Sequence, residues 1–374
     1  MDLISVELSL SLPEKSTSTG ASTIILREAS MDDDDDDADS EFECFDYSHD
    51  TTKSEVQKPN YIRTCLADLI ATEKVPQLEA ALQMLPSLIE LYKIEGEEVA
   101  LELVRILLNY NSTFNIEKFH QLQLNGLISL CENYPLLVSE YLSKEFYERN
   151  YTIGQRSLIL QTFEETAKKL SQIEQIQKKI QDELFVSDND DELEDNSRYS
   201  IINNRLKLKT KYKTTTSSQR KPIMSKENHF GNVVTHFFYP LLAHIDQSTP
   251  HLSLVNGDND YLLLCQLLAC LGRLCIHAQN TPPLVNMLKE YFQVLKSLQQ
   301  HRDAGVRHAI VYSYLCCLVS MNRTCYDEDL QLNLIDLKQW FDEIILKDSN
   351  TDVQKLARSV RRILLKTLQE ISEH

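Results

Sequence analysis

From about residue 60 to its end, this chain places apolar residues at steps of three and four. Leu78, Ala81, Leu82, Leu85, Leu88, Ile89 and Tyr92 form one stripe, and Val99, Leu103, Ile106, Leu107 and Tyr110 form the next. That spacing lines one face of an α-helix. Further stripes run over 119–130, 136–147 and 153–180, with Pro135 as punctuation and Thr152 as an N-cap. Helical periodicity resumes near residue 226 and predicts about six more helices, over 237–245, 261–278, 284–298, 306–321, 330–346 and 353–371. Each amphipathic helix must bury its stripe against a neighbour, so the expected fold is all-α.

The period of the pattern narrows the architecture. Asp303-Ala304-Gly305-Val306-Arg307 opens one helix, and Asp352-Val353-Gln354 followed by Ala357 opens another about 47 residues later, a HEAT or armadillo period. In such units the aspartate caps the helix and the valine enters the core. The reading is a HEAT/armadillo-like α-solenoid, an α-α superhelix in two helical blocks, with an antiparallel bundle as the other packing. Four segments follow: an acidic tether at 1–56, a helical block at 57–185, a charged loop at 186–226 and a second helical block at 227–374. Composition agrees, because eight glycines in 374 residues are too few for the turns of a β-rich fold. An apolar content of 42% supplies a sizeable core.

Charge changes the picture at the N-terminal end. The net charge is -18, and residues 1–60 hold sixteen Asp or Glu against Lys15, Arg27, Lys53 and Lys58. Asp32 to Asp37 are consecutive and run into Asp39, Ser40, Glu41, Phe42 and Glu43. So dense a block of like charge repels itself and serves either as a solubilising tail or as a tether for a basic reader. Ser30 and Ser40 each have an acid three residues on (Asp33 and Glu43), the spacing acidophilic kinases favour, and a phosphate there would add acceptors for Lys or Arg. The docking strip is therefore Ser30, Asp36, Asp37, Asp39, Ser40, Glu41 and Phe42. The remaining balance disfavours broad nucleic-acid binding, although the basic strip Arg198 to Lys221, with Tyr199 and Tyr212, could touch nucleic acid or an acidic partner.

Catalytic signatures are missing from the pattern. There is no glycine-rich phosphate loop, GxSxG, HExxH or EF-hand spacing in the sequence, so no enzyme activity and no cofactor or metal is expected. Nine cysteines lack CxxC spacing, and Cys265, Cys270 and Cys275 fan around a helix as small core residues. The histidines His236, His244, His251, His277, His301 and His308 are dispersed without companion ligands. The longest apolar run, 261–276, is too short to span a bilayer, which needs about 20 residues. Phe237-Phe238-Tyr239-Pro240-Leu241-Leu242 reads either as an exposed partner groove or as a buried corner of the core, with Pro240 kinking or restarting the helix.

The order of several elements resembles one family. These are the acidic strip, Asn60-Tyr61-Ile62-Arg63-x-Cys65, Glu79-Ala80-Ala81-Leu82, Phe146-Tyr147-x-x-Asn150-Tyr151-x-x-x-Gln155-Arg156, His236-Phe237-Phe238-x-Pro240-Leu241-Leu242, and Asp303-Ala304-x-Val306-Arg307. Together they are similar to the C-terminal half of the telomere length regulation protein family, over about residues 37 to 370. The resemblance implies an α-solenoid adaptor that joins two other helical-repeat subunits in the TTT cochaperone complex. It implies delivery of PI3K-related kinases to heat shock protein 90 and a contact with that chaperone's phosphopeptide-reading cochaperone complex. It also implies a cytoplasmic location with a nuclear or chromatin pool, and leaves telomeric DNA as a second partner class. Tyr61, Arg63, Phe146, Tyr147, Asn150, Tyr151, Gln155, Arg156, His236, Phe237, Phe238, Pro240, Asp303, Val306 and Arg307 carry the family motifs, mainly as structural residues. One departure stands out: the family's phosphoserine position holds Ala38, and only Ser40 or unmodified aspartates could replace it.

Overall fold

The computed structural model describes residues 56–71, 74–110, 116, 118–171, 228–245, 254, 260–322, 325 and 327–372, all within the unit Ser54–His374. The first helices are α1 (Ile62–Ile70), α2 (Val75–Leu91), α3 (Lys93–Asn109), α4 (Phe119–Asn133), α5 (Pro135–Tyr147) and α6 (Ile153–Ser171). A 3-10 turn at His229–Asn232 precedes α7 (Val234–Leu242), α8 (Tyr261–His277), α9 (Leu284–Leu298), α10 (Ala304–Ser320), α11 (Glu328–Lys347) and α12 (Thr351–Ser372). No strand occurs among the described residues.

The helices alternate between two layers. In one, α2, α4, α6, α8, α10 and α12 pack each on the next; in the other, α1, α3, α5, α7, α9 and α11 do the same. Each helix thus meets its second neighbour side by side, and most also meet their sequence neighbour, which makes the fold an α-solenoid. The stacking carries through from α6 to α8 and from α5 to α7, so the helices on either side of residues 172–227 share one hydrophobic cluster, from Ile62 to Leu364.

Local chemistry explains where the helices start. Pro135 opens α5 and Pro76 sits in the first turn of α2, positions where a missing N–H costs nothing. Thr152 and Gln155 form a reciprocal capping box: the Thr152 amide donates to Gln155 Oε1 at 2.8 Å, and the Gln155 amide donates to Thr152 Oγ1 at 3.3 Å. Asp303 caps α10 by accepting the Val306 amide at 3.1 Å, and Val306 is buried. The second member of the repeat differs from the expectation. Asn350, not Asp352, caps α12, accepting the amides of Asp352 and Val353 at 2.8 and 3.2 Å, which leaves Asp352 in the first turn where its charge suits the helix dipole.

Two further expectations are corrected or resolved. The chain does not restart at Pro240; α7 contains it and ends two residues later. The aromatic block forms a buried corner, because Phe237, Phe238, Leu241 and Leu242 all face the core. Seven of the eight cysteines among the described residues are buried, Cys265 being the partly exposed one. The tightest crossing is between α8 and α10. A Cβ added at Gly272 would lie 3.1 Å from Cys316 Cβ and 3.4 Å from Ser313 Cα, so glycine lets the two backbones approach.

Candidate functional site

The family-motif residues fall into three groups of contacts. The first lies at the start of the solenoid. Exposed Tyr61 meets Tyr92 at a 45° tilt with ring centroids 5.8 Å apart, and Arg63 pairs with Glu98 at 2.7 Å.

The second group joins the ends of α5, α6 and α7. Buried Phe146 meets Tyr147 edge to face at 4.9 Å, and the Tyr147 hydroxyl donates to the Leu241 carbonyl. Gln155 Nε2 donates to the Leu108 carbonyl at 2.8 Å. Arg156, itself buried, donates to the Glu148 carbonyl at 2.7 Å while its Nε has no hydrogen-bond partner. Burial pushes the Tyr151 phenol up, as do Glu145 and Tyr141 beside it. Asn150 and His236 are exposed and Pro240 is half-buried.

The third group is a staple between the α9–α10 and α11–α12 turns. Arg307 grips Asp348 with two parallel bonds, Nε to Oδ2 at 2.7 Å and Nη2 to Oδ1 at 3.0 Å. Its Nη1 donates to the carbonyls of His301 and Arg302, each at 2.9 Å. Asp348 Oδ1 also accepts the Asn350 amide at 2.8 Å. Only 14% of the Arg307 side chain and 3% of the Asp348 side chain are exposed. The Arg307 bonds hold the Asp348 carboxyl below its ordinary range against the opposing effect of burial, and the Asn350 amide adds to them.

A carboxylate shifted the other way lies on the seam where α6 meets α8. Glu164 Oε2 faces Arg273 Nη1 at 2.9 Å, with 20% and 36% of the two side chains exposed. Burial lifts the Glu164 carboxyl to about 7; Arg273 opposes this and neighbouring Glu165 adds to it. The Arg273 guanidinium lies 6.0 Å from the centroid of the Tyr312 ring on α10. At the end of the same seam, Ser171 Oγ and His277 Nδ1 are 2.9 Å apart. Burial pulls His277 down to about 4, helped by Lys168 and Arg273. Asn228 Nδ2 donates to the carbonyls of His277 and Gln279 at 2.8 and 3.2 Å. Ser171 and Asn228, the described residues that flank 172–227, are therefore both tied to the C-terminal end of α8.

This cluster has the pKa values of a reactive site but not its parts. Burial pushes the Cys270 thiol well above its ordinary value, so it is no nucleophile at neutral pH. Ser171 is buried, and the histidine beside it is too weak a base near pH 7 to activate it. No group of three or more His, Cys, Asp or Glu that could hold a metal occurs among the described residues. The seam's chemistry is that of a joint between helices. Glu164, Arg273, Ser171 and Asp348 are absent from the sequence-derived set, because their partners are 41 to 109 positions away and no local spacing marks them. The acidic strip Ser30, Asp36, Asp37, Asp39, Ser40, Glu41 and Phe42, the basic strip Arg198 to Lys221, and His251 lie outside the described residues.

Comparison with known proteins bears on this arrangement. Residues 59–167, which hold α1 to α5 and most of α6, match the family model described as telomere length regulation protein. That stretch of the chain is similar to the telomere length regulation family. Over 373 residues it is 28% identical to the telomere length regulation protein TEL2 homolog of Mus musculus, covering 97% of this chain and 43% of that protein. The corresponding protein of Homo sapiens is 29% identical over 344 residues, 89% of this chain and 40% of that protein. That of Xenopus tropicalis is 27% identical over 322 residues, 84% and 38%. The chain thus spans about two fifths of the length of the curated relatives it matches. No solved structure matches it. Glu164 lies near the C-terminal end of the matched stretch, and Ser171, Arg273 and His277 lie beyond it.

Proposed function

We propose that this chain is a non-catalytic adaptor of the TTT cochaperone complex. In this reading it joins two other helical-repeat subunits and brings PI3K-related kinases to heat shock protein 90 for maturation, supporting telomere length regulation and DNA-damage signalling. It acts in the cytoplasm, with a nuclear or chromatin pool. The observation that carries the reading is the similarity, over most of the chain, to proteins named for telomere length regulation. The two-layered helical stack is compatible with it, since such a stack offers long surfaces for several partners at once. The acidic strip of 30–47 supplies a docking segment for the phosphopeptide-reading cochaperone, with Ser40 in place of a serine at Ala38.

The test is affinity purification of the tagged full chain from cells, followed by mass spectrometry. Recovery of two helical-repeat subunits with PI3K-related kinases is the expected result. Importin or phosphatase subunits in their place would make the chain a different helical scaffold. Tight, sequence-selective binding of duplex telomeric DNA by the purified chain would favour a direct DNA-binding role.

A further inference from the structure

Large apolar side chains stand in water on one edge of the solenoid, where α3 and α5 begin. Leu91 and Ile94, on either side of the turn from α2 to α3, are 74% and 85% exposed, and Leu136 and Leu137, in the first turn of α5, are 51% and 37% exposed. Contacts beneath them hold the two turns together. The Tyr134 hydroxyl donates to the Lys93 carbonyl at 2.8 Å. A Cβ at Gly96 would collide with that hydroxyl, so glycine lets the start of α5 lie against the start of α3. Further along, Arg105 meets Tyr141, which aligns α3 with α5 along the groove that two side-by-side helices leave. Leu101, two turns on from Ile94, and Tyr141, one turn on from Leu137, are half-buried and continue the apolar line.

The rim of this groove is acidic. From 90 to 102 the chain holds Glu90, Glu95, Glu97, Glu98 and Glu102, all exposed, against Lys93 alone, and exposed Glu140 lies a turn on from Leu136. Arg63 takes Glu98 at 2.7 Å, Lys144 lies a turn beyond Glu140, and Glu145 offsets Arg105. Six carboxylates against Arg63, Lys93 and Lys144 leave the rim negative, in a chain whose net charge is -18. Hydrating these leucines and Ile94 adds nothing to the packing of α3 on α5, and contiguous exposed apolar side chains rimmed by charge mark an interaction surface.

We propose that this edge docks a basic amphipathic helix of a partner protein. The apolar stripe of that helix covers Leu91, Ile94, Leu136 and Leu137, and its lysines and arginines pair with Glu90, Glu97 and Glu140. The rim and the charge of the whole chain act in the same direction: both attract such a segment and repel nucleic acid or an anionic membrane. The chain's own basic strip fits the groove less well. Its Leu206 and Leu208 stand two positions apart between lysines, the spacing of an extended chain, whereas a groove between helices receives apolar side chains at steps of three and four. The proposal goes beyond the adaptor reading, because it assigns a docking surface whichever assembly the chain joins.

The experiment is a fluorescence-anisotropy titration of the full chain with a labelled peptide of about sixteen residues whose leucines form one helical stripe among lysines and arginines. A peptide of the same composition, with the leucines scattered around the helix, is run alongside. The striped peptide should bind, more weakly as salt rises, and the scattered one about tenfold less tightly. Replacing Leu91 and Ile94 together by Ser should weaken binding of the striped peptide about tenfold. Replacing Glu90, Glu97 and Glu140 by Gln should weaken it to a similar degree, on the scale of about three exposed ion pairs. Helix content and unfolding midpoint should stay unchanged in both variants, because all five side chains are exposed. Absence of binding, or equal affinity for the scattered peptide, would overturn the proposal. So would affinity indifferent to both sets of replacements, which would place the peptide on another acidic stretch such as 32–43. Binding that appears only once Leu206 and Leu208 are replaced by Ser would overturn it in favour of the chain's own basic strip. Self-association abolished by the Leu91→Ser, Ile94→Ser pair, without any peptide binding, would overturn it in favour of an interface between copies.

Discussion

Asp348 and Glu164 each face an arginine, yet Asp348 is held below the ordinary aspartate range while Glu164 is lifted to about 7. Depth separates them in part: less of the Asp348 side chain is open to solvent, 3% against 20%, but Glu164 lies deeper among protein atoms, and burial is its largest influence. The donors each carboxylate collects widen the difference. Asp348 accepts two parallel bonds from Arg307 and a third from the Asn350 amide, so its charged form is better solvated by protein than by water. Glu164 faces one guanidinium, that of Arg273, with the Cys270 thiol and a like charge in Glu165 beside it, so desolvation prevails. A turn that closes around a carboxylate can satisfy it fully. A seam between two rigid helices, where backbone N–H groups are already used, cannot.

The largest effect is expected at Asp348. Asp348→Ala should destabilise the chain by about 3 kcal/mol, the scale of leaving one partner of a buried pair uncompensated, as read from denaturant unfolding. A loss no larger than that of an exposed pair, well under 1 kcal/mol, would show that the staple is not what holds the two turns. Arg307→Lys should cost about 2 kcal/mol, because an ammonium keeps the charge but loses the fork and the carbonyl contacts.

A pH series sharpens the contrast, since the two carboxylates should act with opposite sign. The folded value of Glu164, about 7, lies above its ordinary 4.5, so the folded chain binds more protons in between. The stability of the wild type relative to Glu164→Gln should therefore fall as pH rises from about 4.5 to about 7 and then level off. Asp348 lies below its ordinary 3.8, so its contribution is present above that value and is lost as pH falls through the folded one. His277, at about 4 against an ordinary 6.5, likewise stabilises above 6.5 and is lost as pH falls towards 4; subtracting the Glu164→Gln curve separates it from the carboxylate. A flat difference between the wild type and Glu164→Gln over that window would erase the distinction between seam and staple. The smallest effect is Ser171→Ala, about 1 kcal/mol for one partly buried hydrogen bond to His277, measured by the same unfolding titration.

Much of the fold was legible in the chain because helices are local objects. The stripes over 78–92 and 284–298 place α2 and α9 to within a few residues, and Thr152 and Asp303 mark helix starts through bonds that reach only three positions along the chain. The same logic misjudged Asp352, since Asn350, two positions nearer the turn, caps the helix by accepting the amides of Asp352 and Val353. Arg307 stood out within its motif, but its partner Asp348 did not. Nothing near residue 307 indicates that a guanidinium will close on a carboxylate 41 positions later.

What the sequence determined by itself is therefore the secondary structure, the helical class and the resemblance carried by ordered motifs, each of which depends on neighbours within about a turn. Tertiary packing decided which helices share a layer, and through that which charges meet. The stacking of α6 on α8 brings Glu164 to Arg273, and the parallel return of the α9–α10 and α11–α12 turns brings Arg307 to Asp348. The reason is physical: an amphipathic stripe specifies that a face will be buried but not by which partner, and the pKa of a carboxylate follows from the donors that partner delivers.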